Sequence, residues 1–244
     1  MERLKGKTVF ISGGARGLGA EMARLLHSEG ANVMVTDILE DEGHALANDH
    51  ENMTFMAHDV LQEDQWIATI GATKEAYGGL DILVNNAGIA HNATTIEETS
   101  YEQWRKVVGI DLDAVFLGCK HGVGLMKDSG GSIINISSIY GIVGSAGQAP
   151  YHAAKGGVRL LTKALAVELA QLGYAIRVNS VHPGFVGTDM VRDGLRQAVE
   201  NGLMPGENEA IEILTMQTPI GRLGVPRDIA NAVLFLASEE SAWM

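Results

Sequence analysis

The chain has 244 residues, of which 46% are hydrophobic and 20% charged, the balance of one large globular domain. Its formal charge of −12, from 18 Lys and Arg against 30 Asp and Glu, comes with scattered rather than clustered cations, which argues against a nucleic-acid partner. Cys119 is the single cysteine, so an intrachain disulfide and a cysteine-held metal are excluded; the eight His show no ligand spacing, and no metal is expected. The apolar run before Gly13 is too short for a signal-peptide core, and no stretch approaches the length of a membrane span. A reducing, cytoplasmic setting without a membrane partner is the expectation.

In chain order, short apolar runs alternate with helical patterns. Strands are expected at 8–12, 32–36, 53–58, 82–85, 132–137 and 175–180, and amphipathic helices at 19–29, 63–77, 101–127 and 152–172. Such alternation builds right-handed βαβ units and a parallel sheet. No repeat or linker interrupts it, so residues 1–244 read as a single domain. The alternation then loosens: 188–217 carries Gly, Pro and the apolar Met190, Leu195, Leu203, Met204 and Met216 without a strand pattern. That stretch is too apolar for a solvated loop and reads as a substrate lid. The helix from His152 has a narrow polar stripe, Lys155, Arg159 and Lys163, and is apolar around most of its circumference. Burial on two sides follows, and with it a homo-oligomer, dimer or tetramer.

Ser138, Tyr151 and Lys155 are separated by thirteen and then four residues. A Tyr and a Lys at i, i+4 project from one helix face, where the ammonium favours the tyrosinate. Ser138, ending an apolar strand, offers a hydroxyl to hold the oxygen of an alcohol or ketone. This set can remove a proton from an alcohol while a hydride leaves its carbon. Such Tyr–Lys pairs are common on amphipathic helices, so the pair alone decides little.

Upstream, the first strand runs into Ser12-Gly13-Gly14-Ala15-Arg16-Gly17-Leu18-Gly19. Glycines 13, 17 and 19 let the backbone turn tightly and approach a diphosphate at a helix amino end. Asp37, eighteen residues past Gly19, is placed to bind the adenosine ribose hydroxyls, with a helix cap as its competing role. Its carboxylate occupies the space a 2′-phosphate needs, which favours NAD over NADP, although Arg16 could reach such a phosphate.

The Gly13/Gly17/Gly19 spacing, Asn85-Asn86-Ala87-Gly88, Ser138, Tyr151-x-x-x-Lys155 and Pro183-Gly184 occur in order. Together they resemble the short-chain dehydrogenase/reductase family across essentially the whole chain. GSIINISSIYG and GYAIRVNSVHPG are similar to segments of bacterial hydroxysteroid and secondary-alcohol dehydrogenases. The resemblance implies an α/β, Rossmann-type, doubly wound parallel sheet of order 3-2-1-4-5-6 with helices on both faces. It implies Tyr151 as general acid/base, Lys155 lowering its pKa and binding the nicotinamide ribose, and Ser138 orienting the substrate oxygen. Beside the loop residues Gly13, Arg16, Gly17, Leu18 and Gly19 and the acid Asp37, it implies that Asp59 and Val60 hold the adenine. Asn86, Ala87 and Gly88 would line the adenosine side, and Pro183, Gly184, Val186 and Thr188 would flank the nicotinamide. Candidate substrate walls are Tyr140, Gln148, Phe185 and Met190, with Ile89, His91, Ile139 and His182 beside them.

Two departures stand out. Where the family carries a catalytic Asn that holds a water linking the lysine to solvent, this chain has Asp111, within Val108-Gly109-Ile110-Asp111-Leu112. Ionised, it would oppose the lysine and raise the Tyr151 pKa. The chain also stops at Ser241-Ala242-Trp243-Met244, where relatives continue through a Thr-Gly step, so a last strand is expected to be missing. The expected function is NAD-dependent interconversion of an apolar secondary alcohol and its ketone, on a hydroxysteroid or a cyclic or aryl alcohol. Reduction of a 3-oxoacyl thioester, and a non-catalytic NAD-binding scaffold suggested by Asp111, remain as alternatives.

Overall fold

The computed structural model describes residues 2–90, 93–200 and 205–244. His91, Leu203 and Met204, named above for the pocket and the lid, lie outside them. Six strands form one parallel sheet in the order β3-β2-β1-β4-β5-β6: β1 (Thr8–Ser12), β2 (Asn32–Asp37), β3 (Met53–Ala57), β4 (Ile82–Asn85), β5 (Gly131–Ile136) and β6 (Ile176–Val181). The helices are α1 (Gly17–Ser28), α2 (Glu40–Asn48), α3 (Glu63–Tyr77), α4 (Tyr101–Val108), α5 (Ala114–Met126), α6 (Ala149–Gln171), α7 (Asp189–Glu200), α8 (Glu207–Met216) and α9 (Pro226–Ala237). None is long and apolar enough to cross a membrane.

Successive strand residues point to opposite faces, and both faces of this sheet are apolar, as a parallel sheet requires. Val9 and Ile11 of β1, with Val33 and Val35 of β2, join one core with Leu26 of α1 and Leu234 of α9. Phe10 and Met34, one residue out of phase, join the other with Trp66 of α3, Cys119 of α5 and Val158 of α6. Full burial of a side chain such as Ile11 or Leu26 stabilises by roughly 1.5–3 kcal/mol, so helices on both sides clamp the sheet. The order reverses between β1 and β4, which pair in parallel (Val9 with Ile82), so the connections that follow them diverge at the carboxyl edge. A crevice opens at that switch point.

Several elements differ from the sequence expectation. The 101–127 helix is split by a π-helical turn, Gly109–Asp113, whose apolar spacing cannot be told from that of an α-helix. α2 is not among the expected helices; its sequence is mostly polar, and it is held by burying Gly43, Leu46 and Ala47, with Gly43 against Phe55 of β3. Within 188–217, where no strand is expected, the described residues form α7 and α8. α6 starts at Ala149 rather than His152, with Pro150 in its first turn where no N–H is needed. Strand ends move by one residue, as at β5 and β6.

Candidate active site

β1 delivers the chain to Gly13, whose φ is +64° and whose hypothetical Cβ would stand 2.6 Å from Ala87 Cα. Only glycine allows that approach between the loop and the end of β4. Asn86 locks the two together, its Nδ2 donating to the carbonyls of Ser12 (3.1 Å) and Gly13 (2.7 Å). The N-cap of α1, Arg16, makes no side-chain cap hydrogen bond. The first-turn N–H groups therefore keep donors for an anion, and Gly17, where a Cβ would meet nothing within 4 Å, leaves room for one, so the loop fits a dinucleotide diphosphate. Asp37 faces the same loop: Oδ2 accepts from Ala15 N–H (3.0 Å) and Oδ1 from Leu39 N–H (3.2 Å). Its competing role as a cap is slight, because it bonds no residue inside α2.

A cleft of about 330 Å³ runs along these strand ends. Its lining includes Gly13, Arg16, Gly17, Leu18, Gly19, Asp37, Asp59, Val60, Asn86, Ala87, Gly88, Pro183, Gly184, Val186 and Thr188, together with Asp111, Tyr151 and Lys155. Met190 and Ile89 also line it, whereas Ser138, Ile139, Tyr140, Gln148, His182 and Phe185 do not. These six lie on the loops after β5 and β6 and at the start of α6: the Ser138 hydroxyl accepts from Tyr140 N–H (3.2 Å) and acts on the Tyr151 phenol, and the Tyr140 ring meets the rings of Tyr151 and Phe185 edge-on. His182 Nδ1 lies 3.0 Å from the Ser138 carbonyl, and Ile139 N–H donates to the Pro183 carbonyl (3.0 Å), which ties the β5 and β6 loops.

Sequence reading missed Ile38, His58, Ile136 and Val191, which line the cleft as well. Ile38 and His58 directly follow β2 and β3 and Ile136 closes β5, so a search of strand carboxyl ends would have found them. His58 is buried, with Nδ1 3.0 Å from Thr36 Oγ1, and burial pulls its pKa down to about 4.

The polar centre is built from α6, the loop after β5 and the π-helical turn. Lys155, on the buried face of α6, donates from Nζ to the Ile136 carbonyl (3.1 Å) and lies 5.6 Å from the Tyr151 ring centroid. The Ser137 hydroxyl fixes the same turn by donating to the Lys155 carbonyl (2.9 Å). Nζ is 3.0 Å from Asp111 Oδ1, an ion pair whose angle falls short of a directed hydrogen bond. Ile89 N–H donates to Asp111 Oδ2 (3.3 Å), and a Cβ on Gly88 would stand 2.7 Å from Oδ1. Burial pushes the Asp111 carboxyl up while Lys155 pulls it back; burial also opposes the Lys155 charge, but Asp111 and Tyr151 outweigh it and hold that pKa up. At this separation we take the pair as charged. The Tyr151 phenol is pushed up by burial, with Asp111 adding to the rise and Lys155 and the Ser138 hydrogen bond opposing it.

A glycine loop after β1, an acid after β2, and Tyr151 and Lys155 in the same cleft, with Ser138 beside the phenol, fit the needs of a dinucleotide-dependent oxidoreductase. The chain belongs to the short-chain dehydrogenase/reductase family, whose dehydrogenases use nicotinamide cofactors, and it is an oxidoreductase acting on CH–OH groups. A family model described as enoyl-(acyl carrier protein) reductase matches residues 13–244. The chain is 44% identical to a trans-4-hydroxycyclohexanecarboxylate dehydrogenase of Sinomonas cyclohexanicum, over 100% of this chain and 90% of that protein. It is 42% identical to a 3-alpha-(or 20-beta)-hydroxysteroid dehydrogenase of Mycobacterium tuberculosis, over 99% and 86% respectively. It is 39% identical to an NADP-dependent (R)-specific alcohol dehydrogenase of Lentilactobacillus kefiri, over 98% and 92%.

Proposed function

We propose that the chain interconverts alicyclic secondary alcohols and their ketones with NAD, exchanging the hydroxyl proton at Tyr151. The observation that carries this reading is that Tyr151 and Lys155, with Ser138 beside the phenol, share one cleft with Asp37. When bound there, the nicotinamide ring accepts or supplies the hydride. Ser138 holds the substrate oxygen, Tyr151 takes or returns its proton, and the Lys155 ammonium stabilises the phenolate. A phenol whose pKa is pushed up is a proton donor at neutral pH, so ketone reduction is favoured there and alcohol oxidation at alkaline pH. Asp37, fixed against the glycine loop, leaves no room for a 2′-phosphate and selects NAD; the NADP-dependent relative and Arg16 are the counter-indications.

The named substrates of the first two relatives are ring alcohols, and the edge-on Tyr140 and Phe185 rings beside Tyr151 suit an apolar ring. Asp189, Met190 and Val191 of α7 line the cleft, so the 188–217 stretch serves as the lid. Leu160 and Val167 on α6 are 69% and 59% exposed, an apolar strip that a homo-oligomer would cover. A thioester on an acidic carrier suits a chain of charge −12 poorly. Rates with NAD and NADP on cyclohexanol, trans-4-hydroxycyclohexanecarboxylate, a hydroxysteroid and 2-propanol test the proposal. Ring alcohols with NAD should be the best pair; a clear preference for NADP or for 2-propanol would overturn it, and cofactor binding without any turnover would support a scaffold.

A further inference from the structure

His152 follows Tyr151 on the first turn of α6, and no step above uses it. Its ring is nonetheless committed at both nitrogens: Nδ1 lies 2.8 Å from the Gln148 carbonyl oxygen, and Nε2 lies 3.0 Å from Ser145 N and 3.1 Å from Ser145 Oγ. A carbonyl only accepts, so Nδ1 carries the hydrogen; a backbone N–H only donates, so Nε2 is bare. The imidazole is therefore the neutral Nδ1–H tautomer. One face of it carries the Tyr140 ring, stacked at 4.6 Å with the planes 23° apart. Tyr140 in turn meets Tyr151 at 90° and Phe185 at 81°, with ring centroids 6.3 Å away in each case. The loop between Tyr140 and α6 is exposed at residues 142–146, so the Ser145 bonds to His152 tie down its outermost part.

We propose that His152 is a positioning residue for the substrate: it ties the 141–148 loop to α6 through Ser145 and sets the Tyr140 ring as the wall a saturated ring meets beside Tyr151. This rests on the alcohol dehydrogenase reading above. On this proposal a ring held at Tyr151 extends to the Tyr140 ring, which lies edge-on to Tyr151 and outside the cleft itself, whereas a short acyclic alcohol stops short of it. His152→Ala should therefore raise KM for cyclohexanol roughly three- to tenfold, the range expected for losing one aromatic stack, with kcat within about twofold and KM for 2-propanol unchanged. His152→Phe, which keeps the stack and loses the Ser145 tie, should fall between Ala and wild type. Equal KM changes for the two alcohols, or none, would overturn the proposal. The tautomer is read independently by long-range 1H–15N correlation of the histidine imidazoles at pH 7, with His152→Gln assigning the signal. A hydrogen on Nδ1 and a bare Nε2 support the tie, and the reverse tautomer overturns it. If wild type oxidises neither alcohol, the dehydrogenase reading fails while the tautomer still decides the role of His152 in the loop.

Discussion

Lys155 and Asp111 hold opposite charges with 4% and 0% of their side chains exposed. Stripping one partner from such a pair strands a buried charge, at a cost of about 3–5 kcal/mol. Asp111→Asn keeps the shape and removes only the negative charge, which makes it the informative change. Asp111 raises the Tyr151 pKa, so its neutralisation should move the limb of the alcohol-oxidation pH–rate profile to lower pH. Superimposable profiles, or an alkaline shift, would show that the carboxylate does not reach the phenol. The i, i+4 spacing put Tyr151 and Lys155 on one helix face, and the family resemblance, not any periodicity, singled out Asp111 beside them. They were silent on His58, where no spacing distinguishes a buried imidazole from a surface one.

The element that brings Asp111 under Lys155 is the π-helical turn Gly109–Asp113, a deviation that often marks a functional position in a helix. It works with Gly88 across the cleft, where a methyl group would stand 2.7 Å from Asp111 Oδ1 and 3.4 Å from Lys155 Nζ. Gly88→Ala should displace the carboxylate and lower kcat/KM by about tenfold or more, which is about 1.4 kcal/mol of lost transition-state stabilisation, at near-normal thermal stability. Wild-type kcat/KM in this variant would mean the close packing is incidental. The buried strands were legible from sequence because β1 and β4 carry unbroken apolar runs, Val9–Ile11 and Ile82–Val84. α2 was not legible, since it is held by three buried residues, Gly43, Leu46 and Ala47, with Gly43 against Phe55, rather than by any apolar stripe of its own. α7 and α8 were hidden by Gly and Pro that punctuate the stretch without preventing helix between them.

For the whole molecule, acid sensitivity has an identifiable source in His58. Its folded pKa of about 4 lies below the ordinary value of 6.5, so the unfolded chain takes the proton first. The stability contributed by its neutral form is complete above about pH 6.5 and is lost as pH falls to about 4, on the order of 3 kcal/mol in all. Tm should fall across that window and fall less steeply in His58→Gln; parallel slopes would move the cause elsewhere. The apolar strip on α6 makes a second whole-molecule expectation. If this strip is a seam between copies of the chain, Leu160→Arg should lower the mass read by light scattering below that of wild type, and an unchanged mass would place any interface elsewhere.

Tyr151→Phe keeps the ring packing and deletes the one oxygen assigned to proton exchange. We expect NADH to bind this variant within about twofold of wild type by fluorescence titration, while cyclohexanone turnover falls by roughly 10²–10⁴-fold. Turnover within tenfold of wild type would contradict proton exchange at Tyr151 and, with it, the proposed site.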